Sequence, residues 1–336
     1  MPGIYEADQV LKVAEVGDTI FIAQSDKVPF SRLLKRGKKP YNMLSSWPVQ
    51  VYPDRKFEGI LDGTDISTFT HTNREQIEAY AMWLMTEGWM VSRLANLTHT
   101  YGVKPGKEEA KQAKDDALLL GQMIEKQLLS SVDMAVESGS TPYRSRGVGS
   151  WLASSAQSVK PVPANYRPNS ACVYESTLAA FLPAEMEAML EAAATQKKEA
   201  VDLTGYVGIK LKTQMSTWAQ RHVEDVNTAQ ALTRYNLDAE DKKLMRVVDF
   251  FEFDAGKVKV FPSWYLLCTE GTGAVTANSS RSGYFLDMDM WELCFLDNPA
   301  SWIEPRKSGG PRGYHDAVYL LKCLNPTGQC MANIAS

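Results

Sequence analysis

The chain has few of the residue patterns that mark catalysis, metal binding or membrane insertion. Its five cysteines are scattered without Cys-X-X-Cys spacing, and its four histidines lie too far apart to form a metal motif. No GxGxxG, P-loop, GxSxG or HExxH pattern is present. No apolar run approaches the roughly 18 residues of a membrane span, and the N-terminus is unlike a secretory signal. The sequence therefore predicts no cofactor, no metal site, no membrane contact and reduced thiols in an intracellular place of synthesis.

One group of carboxylates leaves an enzymatic alternative open. Asp287, Asp289 and Glu292 in the segment LDMDMWEL would face one way from a strand, as paired catalytic acids do. An exposed strand edge explains the same residues equally well. The glycines of RGVGSW lack a phosphate-binding lysine and a preceding strand, so they do not predict a phosphate site. We therefore expect a structural protein, with a hydrolase that uses Asp287 and Glu292 as the alternative.

Charge is unevenly distributed along the chain. The net charge of -4 argues against a protein devoted to nucleic acid, yet the segment from Lys27 to Lys39 holds six basic residues and no acid. Such a basic arm favours salt-sensitive, sequence-independent contact with a polyanion such as packaged DNA. A solvated face is the other interpretation. The residues predicted to face DNA are Lys35, Arg36, Lys38 and Lys39.

A long amphipathic stretch predicts one uninterrupted helix from Gly106 to Glu137. Small and apolar residues recur there in steps of three or four, which keeps a narrow stripe on one side. Glu108 and Glu109 suit the first turn, and the SGSTP run from Ser138 to Pro142 is expected to end the helix.

Residues 46–95 have the composition of two long strands joined by an elaborate loop. The strands are predicted in WPVQVYP and in QIEAYAMWLMTEGWMVSR, which are rich in aromatic and β-favouring side chains. The connection of about 20 residues is far longer than a hairpin needs. Because a two-stranded ribbon is only marginally stable alone, this loop is expected to lie on a surface outside its own chain.

The remaining chain predicts a mixed α+β body of about two subdomains. A helix is expected at about Ser176–Lys198, and Asp254, Ala255 and Gly256 predict a tight turn. The predicted strands are Leu244–Phe253, Lys257–Phe261, Trp264–Cys268, Tyr284–Leu286, Trp291–Leu296 and His315–Cys323.

The order of these features resembles the major capsid protein of tailed bacteriophages, which has the HK97-like fold. The resemblance covers nearly the whole chain and depends on order and spacing rather than on one specific motif. The segments that carry it are VPFSRLLKRGKK, EAYAMWLMTEGWMVSRLANLTHTYGV, RSRGVGSWL, DKKLMRVVDFFEFDAGKVKVFPSWYL and the final strand in HDAVYLLKCLNPTGQC.

The resemblance implies a division of the chain and a function. Copies of the chain would assemble into pentamers and hexamers of an icosahedral head that encloses double-stranded DNA. The implied regions are an N-terminal arm (1–45), an extended loop (46–95), a peripheral domain (96–169) with a spine helix (106–137), a mainly axial domain (170–295) and a C-terminal return to the peripheral domain (296–336). The loop residues expected to contact another subunit are Arg55, Lys56, Phe57, Asp62, Asp65 and Phe69.

Further partners also follow from the resemblance: scaffolding, portal and decoration proteins. Because the arm starts almost at Met1, we expect no maturation cleavage and a separate scaffolding protein. A covalent link between Lys56 and Asn325 of different subunits is a further option that the sequence leaves open. Two alternative functions remain at this point, an encapsulin-like nanocompartment shell and a tail or decoration protein.

Overall fold

The computed structural model describes residues 28–52, 57–65, 69, 74–98, 106–218, 249–304 and 310–334, together with the backbone of four short strands between 221 and 245. The first 27 residues of the predicted arm lie outside this description. The helices are α1 (Pro29–Leu33), α2 (Arg93–Leu97), α3 (Glu108–Leu128), α4 (Val148–Trp151), α5 (Pro183–Lys197) and α6 (Ile209–Thr217). The strands up to residue 245 are β1 (Lys35–Arg36), β2 (Leu44–Gln50), β3 (Arg74–Tyr80), β4 (Met82–Met85), β5 (Trp89–Met90), β6 (Val173–Tyr174), β7 (Val201–Val207), β8 (Arg221–Glu224), β9 (Ala231–Arg234), β10 (Asn236–Leu237) and β11 (Leu244–Met245). The later strands are β12 (Phe250–Phe253), β13 (Gly256–Pro262), β14 (Gly283–Leu286), β15 (Trp291–Glu304), β16 (Arg312–Cys323) and β17 (Cys330–Ala332).

Two larger sheets organise these strands. One has the order β12-β13-β7-β14-β17-β6, and the other has the order β1-β15-β16-β4 with β5 also paired to β16. Three antiparallel pairs stand apart from them: β2 with β3, β8 with β9 and β10 with β11. The chain divides into two compact units, one containing Met85–Gly121 and Pro299–Asp316, the other containing Val28–Leu84, Gln122–Asn298 and Ala317–Ser336.

The six-stranded sheet supports the main hydrophobic core of its unit. Strand β7 lies within it, parallel to β13 and antiparallel to β14. Helices α5 and α6 contribute Met186, Met189, Leu190, Leu211 and Met215 to this core, all fully or almost fully buried. The predicted turn at Asp254 and Ala255 is confirmed, because Phe253 pairs with Gly256 across it. Strand β17, close to the C-terminal end, lies in this sheet between β14 and β6.

The bounds predicted for the long helix, Gly106 and Glu137, are both wrong, and the larger error is at the C-terminal end. Helix α3 has 21 residues and stops at Leu128. After Leu128, the Ser130 hydroxyl donates to the Gln127 carbonyl (2.7 Å), and the Asp133 carboxylate accepts from the Met134 amide (2.8 Å). Such hydrogen bonds between side chains and the nearby backbone compete with the backbone hydrogen bonds of a helix. The apolar stripe is buried where it carries large residues, at Leu120, Ile124 and Leu128.

Four other predicted elements also differ from the structure. The predicted strand Leu244–Phe253 contains two separate strands, β11 and β12, which pair in different sheets. The single long strand after residue 74 is divided into β3, β4 and β5, and Gly88 turns the chain with a φ of 86°. The predicted strand Trp264–Cys268 is absent, since Leu267 has a φ of 51°, which a strand cannot contain. Helix α5 begins at Pro183 rather than Ser176, because the residue before a proline avoids the helical conformation.

A buried ion pair connects the segment after α3 with the RSRGVGSWL segment. The guanidinium of Arg146 is fully buried and donates from Nε to Asp133 (2.9 Å) and from an Nη to the Val159 carbonyl (2.8 Å). The same guanidinium lies 4.7 Å from the ring centroid of Trp151, which is also fully buried. Asp133 additionally accepts the Ser150 hydroxyl at 3.0 Å. One carboxylate therefore fixes neighbouring segments of the chain to one another.

The charge state of this pair follows from its surroundings. Burial alone would raise the pKa of Asp133, but the charge of Arg146 and the hydrogen bonds that the carboxylate accepts hold that pKa below its ordinary value. Burial lowers the pKa of Arg146, yet a guanidinium stays protonated in proteins, so the pair is ionised. A carboxyl whose pKa is lowered by folding stabilises the fold above its unfolded pKa, and this contribution disappears as the pH falls through the folded pKa.

We predict that Asp133→Asn lowers the free energy of unfolding by about 3 kcal/mol near neutral pH, because it leaves a buried guanidinium without its counter-charge. The cost should shrink as the pH falls through the folded pKa of Asp133, where the wild-type carboxyl also takes up a proton. Denaturant unfolding of the unassembled subunit at neutral pH and at strongly acid pH measures this.

The control for this prediction is Asp289→Asn, which removes an exposed carboxylate paired with Lys35 and should change stability little. An equal cost of Asp133→Asn at both pH values would contradict the assignment of the ion pair.

Candidate functional site

The antiparallel hairpin β2–β3 is anchored to the body of its unit at its base. Trp47 is buried opposite Ile77, and its ring lies 6.0 Å from the ring of Trp151. The ammonium of Lys322 lies 5.4 Å from the centroid of the same Trp47 ring. In addition, Tyr80 stacks on Tyr143 at 5.5 Å. Aromatic packing therefore holds the base in one orientation.

Backbone hydrogen bonds support the same base. Residues pair from Leu44 with Tyr80 to Gln50 with Arg74, and the Ala81 amide extends this ladder by donating to the Met43 carbonyl (2.7 Å). The predicted hairpin strands are thus confirmed, although the second is shorter than predicted.

The described part of the loop beyond the hairpin strands is exposed. Phe57 is 99% exposed and Phe69 is 84% exposed, and both belong to the predicted subunit-contact set. Asp62 and Asp65 of that set are exposed as well, while Arg55 and Lys56 lie outside the described residues. We call residues 51–69, in their described part, the tip.

Sequence reasoning missed three apolar residues of the tip. Tyr52, Ile60 and Leu61 are also strongly exposed. Ile60 and Leu61 come directly before a turn at Asp62 and Gly63, where Gly63 has a φ of 82°. The available signal was the position of these apolar side chains beside turn-forming residues, in a loop that has no core of its own.

The basic arm is held at its start by a buried carboxylate from α3. Glu125 accepts the backbone amides of Phe30 (2.8 Å) and Ser31 (2.7 Å) in the first turn of α1. Burial raises the pKa of Glu125 although these two hydrogen bonds act against the rise. Phe30 is fully buried and meets Tyr206 edge-to-face at 5.1 Å. The predicted short helix of the arm is confirmed, and it is fixed to the core.

The four residues predicted to face DNA divide into two pairs. Lys35 forms an ion pair with Asp289 (2.6 Å), and the hydrogen bond and charge of Asp289 raise the pKa of Lys35. The guanidinium of Arg36 lies 4.5 Å from the ring centroid of Phe295. Lys38 and Lys39 follow the strand and are exposed. Contact with DNA stays a prediction, and the two lysines after β1 suit it best.

The three carboxylates of LDMDMWEL are each paired with a different lysine. Asp287 contacts Lys197 at 2.9 Å, and Glu292 contacts Lys322 at 3.2 Å. Asp289 is paired with Lys35 at 2.6 Å. A catalytic pair of acids needs two carboxylates that flank one substrate, whereas here each carboxylate faces its own lysine. The arrangement favours structural ion pairs.

A second polar cluster superficially resembles a catalytic triad. Asp116 accepts the Thr86 hydroxyl (2.6 Å) and lies 2.8 Å from Nδ1 of His315, and all three residues are buried. The Thr86 hydroxyl therefore donates to the carboxylate rather than to the imidazole, so the base lacks the hydrogen bond that would activate a nucleophile. The cluster joins α3, β16 and the turn after β4.

Neither a metal-binding cluster nor a membrane-spanning helix is found among the residues that the structure describes. In these ranges no group of three or more His, Cys, Asp or Glu side chains is arranged to hold a metal ion. Within the same ranges no helix combines the length and the apolar character needed to cross a bilayer. Asn325, named for a covalent link, accepts the amide and hydroxyl of Thr327 in a turn, and the link itself stays a prediction.

Comparison with protein families identifies the chain. The model of the SU10 major capsid protein family matches residues 4–314, which is nearly the whole length. No curated protein sequence matches the chain. The role of this family is structural.

Solved capsids have the same fold. The capsid asymmetric unit of cyanophage A-1(L) superposes with a TM-score of 0.66 at 12% identity, covering 99% of this chain and 100% of that one. A capsid chain of the native GTA particle gives a TM-score of 0.61 at 10% identity, with 98% of both chains covered. The capsid of cyanophage P-SCSP1u gives 0.60 at 9% identity, with 97% and 94% covered.

These matches confirm the predicted α+β fold class and its HK97-like architecture. They give no support to the nanocompartment and tail alternatives, and they place the protein in the virion capsid. The chain belongs to the SU10 major capsid protein family, and it is a major capsid protein that forms the head of a tailed bacteriophage.

Proposed function

We propose that the tip of each subunit packs on a neighbouring copy of the chain, and that this contact joins pentamers and hexamers into a closed icosahedral head. The observation that carries the proposal is the contrast between the two ends of one hairpin. The base is buried around Trp47, while Phe57 and Phe69 at the tip are exposed. A second subunit is the surface that would cover them.

The energetics of the tip support this arrangement. Burying one phenylalanine side chain contributes roughly 1.5–3 kcal/mol, so a few such residues make a modest contact on their own. Contact between two different surfaces of identical subunits closes into rings, and many modest contacts around a shell add up to a stable assembly. Asp62 and Asp65 lie beside the apolar residues and give the contact a polar rim.

The basic arm is the proposed contact with the genome. Lys38 and Lys39 are exposed, whereas the charge of Lys35 is partly compensated by Asp289. Binding through two such lysines would be weak for one subunit, independent of DNA sequence and sensitive to salt. The repeated subunits of a head would multiply it. Scaffolding, portal and decoration proteins remain further proposed partners, supported by the resemblance alone.

We predict that the double variant Phe57→Ser/Phe69→Ser folds normally but lowers the fraction of subunits found in closed shells at least about tenfold, which corresponds to roughly 1.4 kcal/mol of binding free energy. Both side chains are exposed, so the unfolding midpoint of the unassembled subunit should not change. Negative-stain electron microscopy and sedimentation measure the shell fraction.

Leu119→Gln is the control for the tip variant, because Leu119 is also exposed but lies on α3. This variant should assemble as the wild type does. A wild-type yield of closed shells from the double tip variant would refute the proposed contact.

We predict that Lys38→Glu/Lys39→Glu weakens the binding of the subunit to duplex DNA and makes it less salt-dependent. Each phosphate that the protein no longer neutralises reduces the slope of log K against log salt by about 0.9. Fluorescence anisotropy with a labelled duplex at several salt concentrations measures the slope. The control Lys210→Glu reverses an exposed charge on α6 and should leave the slope unchanged. Equal slopes for the two variants would exclude the arm as the DNA contact.

A further inference from the structure

Two cysteines lie next to each other where the parallel strands β6 and β17 begin. Met331 pairs with Val173, and Cys330 and Cys172 are the residues directly before this pair in the two segments. Paired strands lie about 4.8 Å apart, so the two chains approach to this spacing at Val173 and Met331, one residue beyond the two cysteines. A disulfide requires a Cα separation of roughly 4.4–6.8 Å. The backbone can therefore accommodate a bond between these two residues without a large movement.

The side chains of both cysteines point to the same side. Cys172 and Cys330 are fully buried in the same hydrophobic core, and their neighbours two residues on, Tyr174 and Ala332, belong to that core as well. Cys172 is the last residue of a short 3₁₀ helix (Ser170–Cys172) that leads directly into β6, and its side chain enters the same core as that of Tyr174. The two thiols lie within hydrogen-bond distance of each other. Cys330 also reaches the Met189 carbonyl at 3.4 Å.

The two thiols differ in acidity. The hydrogen bond from Cys330 lowers the pKa of Cys172 although burial opposes it, and the same bond together with burial raises the pKa of Cys330. Burial raises the pKa of the other three cysteines, to about 11 for Cys294. Since the thiolate is the nucleophilic form, Cys172 rather than Cys330 is the sulfur suited to attack first.

We propose that Cys172 and Cys330 are a latent disulfide, which closes inside each subunit when the head meets a peroxide. The sulfur of Cys172 attacks one peroxide oxygen, the O–O bond breaks, and a sulfenic acid and one water form. The sulfur of Cys330 then attacks the sulfenic sulfur, the S–O bond breaks, and the hydroxyl leaves as a second water. The two thiols lose two electrons, the peroxide gains them, and both thiol protons end in water.

The fold and the surroundings of the particle both suit such a bond. Hydrogen peroxide is small and uncharged, so a local opening of the three-residue strand β17 would be enough to admit it. A head is built in a reducing cell interior and then meets oxidising surroundings, where disulfides persist. The bond would tie β17 to the start of β6 and close a long loop of chain, which disfavours the unfolded state.

Thiol counting on the full-length unassembled subunit tests the proposal. After treatment with hydrogen peroxide, acid quenching and denaturation, we expect free thiols to fall from the five present in the sequence to three. Peptide mass spectrometry should find one cross-linked pair containing Cys172 and Cys330, lighter by two hydrogen atoms and restored by dithiothreitol. The thermal midpoint of the oxidised subunit should be higher than that of the reduced one.

Variants make the result specific to this pair. Cys330→Ser, or Cys330→Ala if the serine variant does not fold, should abolish both the cross-linked peptide and the rise in midpoint, while Cys294→Ser should keep both. The proposal is overturned by five remaining thiols after oxidation, by a cross-link that involves another cysteine, or by over-oxidation of Cys172 without a cross-link. None of these readouts requires shell assembly, so they are independent of the proposed contact at the tip.

Discussion

The position of the β2–β3 hairpin depends on the packing of Trp47 against Trp151. Without a fixed base, a two-stranded ribbon is only marginally stable and its tip has no defined position. Trp151 packs in turn against the buried guanidinium of Arg146, and that guanidinium is held by Asp133. A chain of contacts thus runs from one carboxylate to the hairpin. Rigidity at the base gives the exposed apolar residues of the tip a defined position, which the proposed contact with a second subunit requires.

Several charged side chains hold neighbouring segments of the described chain together. Lys35, Lys197 and Lys322 each neutralise one carboxylate of the LDMDMWEL segment, and Glu125 caps the first turn of α1. These contacts fix the arm and the strand edge at which it lies. The exposed lysines after β1 are therefore presented by an ordered segment, although the net charge of the whole chain is negative. What the arm can bind therefore depends on the charge and the fixed position of its own residues rather than on the net charge of the whole chain.

Much of the architecture could be predicted because it depends on short-range patterns. The hairpin strands, the turn before Gly256 and the order of elements all follow from alternation and turn chemistry. The end of α3 could not be predicted, since it depends on Ser130 and Asp133 bonding to nearby backbone and to Arg146. The lysine partners of Asp287 and Glu292 were also unpredictable, because they come from positions far away in sequence. The periodic spacing of apolar residues in a sequence does not show which distant residues form ion pairs.

The loop could be predicted from the sequence, but its contacts could not be tested. A long loop with glycines and aspartates predicted a contact outside its own chain, and Phe57 and Phe69 are exposed; their contact with a second subunit stays a prediction. The proximity of Cys172 and Cys330 is invisible in the sequence, because 158 positions separate them and only the strand register brings them together. Sequence patterns identify what a segment is made of, whereas the pairing of strands decides which residues meet.

A cryo-electron microscopy reconstruction of the assembled head is the most direct measurement of the central claim, that the tip binds a second copy of the chain. We expect density for Phe57 and Phe69 of every subunit buried against the surface of a neighbouring subunit. Tips that project into solvent, or that fold back onto their own subunit, would contradict it.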